Sequence, residues 1–151
     1  MSIPERWARF RELPPNIRQT VDQLIPLLER EKVQLAYLFG SLSRGEPGHD
    51  VDLAILTQGE PAYRLRVAIT DCLGTERVDL VDLRRASPVL RFEIIRTGQL
   101  LYQADETACE DFELSTLRLY KDTAWLRRHQ DTYLRERMKQ WSSSQNPSTS
   151  A

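Results

Sequence analysis

The spacing of apolar residues predicts three helices interleaved with four short strands, followed by a long helical segment. After Pro14 and Pro15, apolar residues recur every three or four positions from residue 16 to residue 32, which is the pattern of an amphipathic helix. Pro26 lies inside this stretch and predicts a kink or a break, because proline lacks the amide N–H that an inner helical turn needs.

Four short apolar runs predict strands, and turn residues separate them from the helices. The predicted strands cover residues 33–39, 50–56, 77–83 and 99–103. The helices between them cover residues 59–73, ending at Gly74, and residues 87–96, where Ser87 is the expected cap and Pro88 the first helical residue. This order predicts an α/β (α+β) fold, with helices packed on a mixed β-sheet of about four strands.

The segment from residue 105 to residue 141 contains neither proline nor glycine, so it forms one long helix or two. It carries two apolar stripes on different sides of the helix. The first stripe has seven-residue spacing and consists of Phe112, Leu119, Leu126 and Tyr133; the second consists of Leu117, Tyr120, Ala124, Leu134 and Met138. Either the domain covers both stripes, or one of them binds a second surface.

The length of 151 residues fits one compact domain. We expect that domain to span residues 1–141, with an N-terminal helix, a catalytic core near residues 33–103 and C-terminal helices over residues 105–141. Residues 142–151 carry no charge and no large apolar group, which predicts a disordered tail. The tryptophans are expected to pack in the core or at an interface.

Composition excludes several classes of protein. The formal net charge of −1 argues against a general nucleic-acid binder, and no apolar run is long enough to span a membrane. Charged residues near the N-terminus argue against a secretory signal, and Cys72 and Cys109 are too few for a disulfide framework. We therefore expect a cytoplasmic protein that binds neither a membrane nor nucleic acid directly.

The residues best suited to chemistry lie between residues 38 and 56. A predicted strand runs into Gly40 and Ser41, and a polar loop leads to Asp50 and Asp52 at the start of the next strand. Residues two apart in a strand share a face, so these two carboxylates are expected to project together. Because adjacent carboxylates repel, they favour a hard divalent cation such as Mg²⁺. The glycine lets backbone N–H groups approach a polyphosphate, and the serine hydroxyl adds a donor.

A third carboxylate is available on the neighbouring predicted strand. Both Asp79 and Asp82 qualify, and strand periodicity places them on opposite faces without saying which one faces Asp52. Arg44 follows Ser41 by three residues and is able to reach a phosphate. Three carboxylates around two metal ions would align a hydroxyl with the α-phosphate of a nucleotide and neutralise the leaving pyrophosphate. Each feature taken alone is also common in solvated turns and strand ends.

These segments together resemble a known family. The string LFGSLSRG…DVDLAIL, followed by RVDLVDL and SPVLRFEIIRTGQLLYQ, resembles the minimal nucleotidyltransferases of the DNA polymerase β-like superfamily. With the long polar helix that contains KDTAWLRRHQDTYL, the chain looks more narrowly like the MntA-type antitoxins that accompany HEPN-domain toxins. The resemblance covers residues 33–134, and the loop between Ser41 and Asp50 is shorter than is usual in the family.

The resemblance implies a nucleotidyltransferase fold and a Mg²⁺-dependent transfer of AMP from ATP to a tyrosine hydroxyl of the partner toxin, an RNase. Two Mg²⁺ ions are implied, and the transfer would neutralise the toxin. The implied nucleotide-binding residues are Gly40, Ser41 and Arg44, and the implied catalytic and metal-binding residues are Asp50, Asp52 and Asp79. The family pattern selects Asp79 over Asp82 and gives it a part in deprotonating the acceptor.

Two other functions stay open from the sequence. The same fold would neutralise a partner by binding alone, through the second stripe of the long helical segment. Alternatively, the protein would be a small-molecule nucleotidyltransferase acting on an aminoglycoside-like alcohol. The short chain favours a partner protein, because the antibiotic-modifying relatives usually carry an additional substrate domain.

Overall fold

The computed structural model describes residues 7–144, which form a four-stranded sheet with helices on both faces. The strands are β1 (Leu35–Phe39), β2 (Val51–Leu56), β3 (Val78–Asp82) and β4 (Gln99–Gln103). The helices are α1 (Ile17–Val21), α2 (Leu24–Arg30), α3 (Tyr63–Leu73), α4 (Pro88–Thr97), α5 (Glu106–Asp122) and α6 (Ala124–Ser144). The predicted α/β class with a mixed sheet is confirmed.

The sheet has the strand order β3-β2-β1-β4. The central strand β1 pairs antiparallel with both β2 and β4, whereas β2 pairs parallel with β3. Parallel neighbours require a crossover connection, and α3 is the crossover between β2 and β3. The predicted edge strand at residues 99–103 is confirmed as β4.

Alternate residues of the strands enter two separate hydrophobic cores. In β2, Val51, Leu53 and Ile55 are buried against α1, α2 and α3, whereas Ala54 is buried on the opposite face against α4 and α5. Strand alternation therefore places Asp52 on the face of the sheet that α4 and α5 cover. The functional residues lie where this face reaches the start of β2.

Local signals place several helix ends where the sequence predicts them. Helix α3 ends at Gly74, which has a φ of +67° in the left-handed region that glycine tolerates. Helix α4 begins after Ser87, whose side chain accepts a hydrogen bond of 3.1 Å from the amide of Leu90. Pro26 is the third residue of α2, where its missing N–H costs no helical hydrogen bond. The predicted break consequently falls just before it, between Val21 and Leu24.

The C-terminal segment forms two helices that meet at Thr123. Phe112 of α5 is buried in the core, but the later members of both apolar stripes are exposed, so the interpretation in which the domain covers both stripes is wrong for the described residues. Helix α6 also includes residues 142–144, so these three residues are helical and do not belong to the predicted tail. The rest of that predicted tail, residues 145–151, lies outside the described part of the chain. Among residues 7–144, no helix combines the length and apolar character needed to cross a bilayer.

The core beneath α5 contains a buried hydroxyl whose ionisation is coupled to folding. The hydroxyl of Tyr37 donates to the carboxylate of Glu113 at 3.1 Å and lies 3.7 Å from Sγ of Cys109. Burial, and then these two neighbours, raise the pKa of Tyr37 far above its ordinary value. The folded protein keeps this proton at an alkaline pH at which the unfolded chain loses it.

The contribution of Tyr37 to stability is therefore complete below about pH 10 and is lost as the pH rises further, at about 1.4 kcal/mol per pH unit. We expect the free energy of unfolding to fall less steeply above this pH in Tyr37→Phe than in the wild type, as measured by urea denaturation. Tyr63→Phe is the control, because Tyr63 is 80% exposed and folding changes the surroundings of its hydroxyl little. Equal slopes in the wild type and Tyr37→Phe would contradict this account.

Candidate active site

The site begins with the turn that follows β1. Gly40 has a φ of +73°, and residues Ser41–Arg44 then form a single 3-10 turn that ends at Gly45, with a φ of +72°. Positive φ angles of this kind favour glycine. The hydroxyl of Ser43 donates to the carbonyl of Gly40 at 2.8 Å and holds the turn closed. The chain thus reverses tightly between β1 and the loop that leads to β2.

Gly40 is also in close contact with the side chain of Asp52. A Cβ atom at Gly40 would overlap Oδ2 of Asp52 and lie 3.1 Å from its Cγ. No side chain fits at this position unless Asp52 moves. The Gly-Ser turn and the carboxylate therefore form one packed unit, in which the backbone after β1 lies directly beside an acidic group.

Three carboxylates come together at the ends of two parallel strands. The register of β2 on β3 places Asp52 opposite Asp79, and Asp50 lies two residues before Asp52. One ligand oxygen from each of Asp50, Asp52 and Asp79 lies within 4.8 Å of the others, and all three side chains are half-buried. The structure thus brings together the three acidic residues that the family resemblance implied.

Asp82 does not join this cluster. It is three residues beyond Asp79, and an odd separation places it on the opposite face of β3. Its carboxylate accepts a hydrogen bond of 3.0 Å from the amide of Arg84 and lies 3.5 Å from the guanidinium of that residue. The register of the sheet thereby distinguishes the two candidates that the sequence left open.

The cluster suits a divalent cation. Carboxylates at such separations repel one another. A hard cation such as Mg²⁺ relieves the repulsion and takes oxygen ligands of this type, with phosphate oxygens completing its shell. Within residues 7–144, this is the one group of three or more potential ligands that are close enough to share an ion, and His49 is not part of it.

Arg44 lies on the exposed side of the 3-10 turn. Its guanidinium forms an ion pair of 3.4 Å with Glu46, and both side chains are more than half exposed. Exposed pairs of this kind contribute little to stability, so the arginine is able to change partner. The structure places it in the same turn as Ser41 and gives no contact between it and the carboxylates.

Two residues near the site escaped the sequence interpretation. The indole Nε1 of Trp7 donates to Oδ2 of Asp50 at 3.0 Å, although the sequence favoured simple packing for this tryptophan. The guanidinium of Arg77 is buried and donates to the carbonyls of Phe10 and His49. No local pattern reveals these contacts, because they join segments separated by 28 to 67 residues.

Comparison with known proteins agrees with this geometry. The model of the family described as polymerase beta, nucleotidyltransferase, matches residues 22–107, which include the turn and all three carboxylates. The chain belongs to this nucleotidyltransferase family. The matched segment also spans every strand of the sheet, so the family relation covers the fold as well as the site.

Several individual proteins and solved structures are similar to this nucleotidyltransferase, and they indicate one group within the family. The protein adenylyltransferase MntA of Shewanella oneidensis is 34% identical over 96 residues, which are 60% of this chain and 68% of that protein. A solved complex of tri-AMPylated Shewanella oneidensis HEPN toxin with MNT antitoxin matches with a TM-score of 0.61 and 29% identity, over 81% of this chain and 98% of the other. A toxin-antitoxin structure with AMP-PNP matches with a TM-score of 0.60 and 29% identity, over 80% and 98%. The resemblance to MntA-type antitoxins is confirmed.

The close contact at Gly40 leads to a prediction, for which Gly45 provides the control variant. Both glycines have a positive φ, but a Cβ at Gly45 would meet nothing within 4 Å. We expect Gly45→Ala to cost about 1 kcal/mol of unfolding free energy through backbone strain alone. Gly40→Ala should cost at least about 1 kcal/mol more, because the new methyl group must displace Asp52 and because the backbone of Gly40, with a ψ of −157°, lies in a region that only glycine adopts readily, unlike that of Gly45.

The measurement is urea denaturation of both variants, alone and combined with Asp52→Ala. In a double-mutant cycle, removing the Asp52 carboxylate should rescue part of the cost of Gly40→Ala, leaving its backbone strain, and should leave the cost of Gly45→Ala unchanged. Equal costs for the two glycine variants would show that the contact between Gly40 and Asp52 is unimportant.

Proposed function

We propose that this nucleotidyltransferase is the antitoxin of a HEPN toxin-antitoxin pair and transfers AMP from ATP to a tyrosine hydroxyl of its cognate toxin. The observation that carries the proposal is the cluster of Asp50, Asp52 and Asp79. Their ligand oxygens lie within 4.8 Å of one another, and Asp52 contacts the Gly40 turn. The similarity to the protein adenylyltransferase MntA and to a complex with an AMPylated HEPN toxin supports the choice of substrate.

The three carboxylates are the proposed ligands of Mg²⁺, with two ions expected at the site. Bound there, Mg²⁺ would neutralise charge on the triphosphate and polarise the α-phosphate. The backbone of Gly40 and the hydroxyl of Ser41 are the proposed contacts to the triphosphate. Arg44 would leave its exposed partner Glu46 for a phosphate oxygen, because a charge-assisted bond to phosphate is stronger than a solvated ion pair.

The transfer itself needs an acceptor oxygen and a base. The tyrosine oxygen of the toxin attacks the α-phosphorus, an O–P bond forms, and the bond to the bridging oxygen of the β-phosphate breaks to release pyrophosphate. A tyrosine hydroxyl with a pKa of about 10 keeps its proton at neutral pH, so the attack requires a proton acceptor. We assign that role to Asp79, whose carboxylate takes the phenolic proton.

The exposed face of α6 is the proposed docking surface for the toxin. Its apolar members are separated by intervals that place them on one broad side of a helix. They are Leu126, Tyr133, Leu134, Met138 and Trp141, and all of them are exposed. Basic residues outnumber acidic residues by six to three between Lys121 and Lys139, so the toxin should present an apolar patch with an acidic margin.

This function agrees with a one-domain organisation. We take the region predicted as residues 1–141, with α6 continuing to Ser144, as a single nucleotidyltransferase domain whose acceptor is supplied by another protein. ATP and the RNA that such a toxin cleaves are cytoplasmic, and we therefore propose the cytoplasm as the compartment of this antitoxin.

The catalytic assignment predicts a sharp difference between two aspartates of β3. We expect Asp79→Asn, like Asp50→Asn and Asp52→Asn, to slow AMP transfer at least about 100-fold, the equivalent of about 3 kcal/mol of transition-state stabilisation. Asp82→Asn should retain activity, because Asp82 faces away from the cluster and bonds to Arg84. The measurement is intact mass spectrometry of the purified HEPN protein encoded beside this chain, after incubation with ATP and Mg²⁺.

Two results would redirect the interpretation. Transfer that persists in Asp52→Asn would exclude the proposed site. Protection of cells from the toxin by Asp52→Asn, with no AMP on the toxin, would show that binding alone neutralises it.

The docking surface predicts which apolar residues the complex needs. We expect Leu134→Glu to weaken toxin binding by about 2 kcal/mol or more, because it places a charge in an interface that must exclude water. Leu114→Glu on α5 is the matched control, since Leu114 is 52% exposed and Leu134 is 57% exposed. Isothermal titration calorimetry of the two variants with the toxin measures the difference, and equal affinities would place the interface elsewhere.

A further inference from the structure

The segment before α1 lies against the catalytic edge of the sheet. Trp7 is 6% exposed, and its indole Nε1 donates to Oδ2 of Asp50 at 3.0 Å. Its ring lies near that of Phe10, with the ring centroids 6.2 Å apart. The first described residue of the chain is thus hydrogen-bonded to a proposed metal ligand.

Arg77 ties this segment to the strand that carries the ligand. Its guanidinium donates to the carbonyl of Phe10 at 2.7 Å and to the carbonyl of His49 at 3.3 Å. Its own carbonyl accepts from the amide of Val51 at 2.8 Å. Asp50 therefore lies between two backbone groups that Arg77 holds, while Trp7 holds its side chain.

We propose that Trp7 is a positioning residue that orients the Asp50 carboxylate for a divalent cation. The inference rests on the metal site of the proposed function. A carboxylate on a flexible side chain binds a cation more tightly when a hydrogen bond fixes its rotamer and direction. The hydrogen bond from the indole to Oδ2 would restrict the rotamer of Asp50, one oxygen of which lies within 4.8 Å of ligand oxygens of Asp52 and Asp79.

The chemistry of indole suits this role. The indole N–H is a donor only, so it neither competes with the carboxylate for the cation nor accepts a proton from it. It carries no net charge, so it holds the carboxylate without the repulsion that a lysine or arginine would exert on the cation. Phenylalanine preserves most of the apolar packing of the ring but lacks the donor, which separates positioning from packing.

The test compares Mn²⁺ affinity in Trp7→Phe and the wild type, using isothermal titration calorimetry on the full chain without nucleotide. We expect the variant to bind Mn²⁺ about tenfold more weakly, which is typical when the hydrogen-bond partner of a metal ligand is lost. Trp125→Phe is the matched control, because Trp125 is an exposed residue of α6. Unchanged Mn²⁺ affinity in Trp7→Phe would overturn the proposal.

A kinetic measurement separates positioning from general damage. In the transfer assay, Trp7→Phe should need about tenfold more Mg²⁺ for half-maximal rate and should regain the wild-type rate at saturating Mg²⁺. If the rate of Trp7→Phe stays below the wild-type rate even at saturating Mg²⁺, while its Mn²⁺ affinity equals that of the wild type, the role of Trp7 is purely structural. If the wild type modifies no HEPN protein while Trp7→Phe still loses Mn²⁺ affinity, the proposed substrate fails and the positioning role stands.

A second variant covers the case in which Trp7→Phe does not fold. The chain has three tryptophans, so Trp125→Phe combined with Trp141→Phe leaves Trp7 as the sole indole. Tb³⁺ bound at the cluster should then emit when Trp7 is excited, because energy transfer requires an indole close to the ion. Emission should disappear when Asp52→Asn is added. An absence of sensitised emission in a folded protein that binds Tb³⁺ would contradict the proposal.

Discussion

The mutual repulsion of three carboxylates is the constraint on which the rest of the site depends. The parallel register of β2 on β3 places Asp52 beside Asp79, and Asp50 completes a cluster within 4.8 Å. Three like charges this close repel one another, and a cation bound among them would relieve that repulsion. The fold sustains the arrangement because the same strands bury apolar residues on the opposite face of the sheet, against α1, α2 and α3. Packing energy thereby holds together groups that would otherwise separate.

Close backbone approach shapes the turn that we propose for binding the triphosphate. Gly40 lies so near Asp52 that no side chain fits between them, and the 3-10 turn after it brings Ser41 to the same edge. A nucleotide bound there would lie beside both the backbone of the turn and the carboxylates proposed as metal ligands. The exposed apolar face of α6 supplies a separate surface, and a partner docked on it would provide the acceptor hydroxyl.

Local sequence signals predicted most of the elements, because capping and turn chemistry act within a few residues. Ser87 and Gly74 mark helix ends that the structure confirms. The break between α1 and α2 was expected at Pro26 but falls before it, since proline fits in the first turn of a helix. The exposure of α6 was not predictable, because an apolar stripe does not indicate whether the same domain covers it.

The sequence by itself determined that Asp50 and Asp52 share a face and that a Gly-Ser turn precedes them, since strand alternation and glycine geometry are local properties. Strand periodicity left Asp79 and Asp82 open and the family resemblance selected Asp79, but only the tertiary structure supplies the physical reason, because the parallel register of β2 and β3 places Asp79 opposite Asp52. The hydrogen bond from Trp7 to Asp50 likewise spans 43 residues. No local pattern encodes a contact at that separation, because it depends on how distant segments pack together.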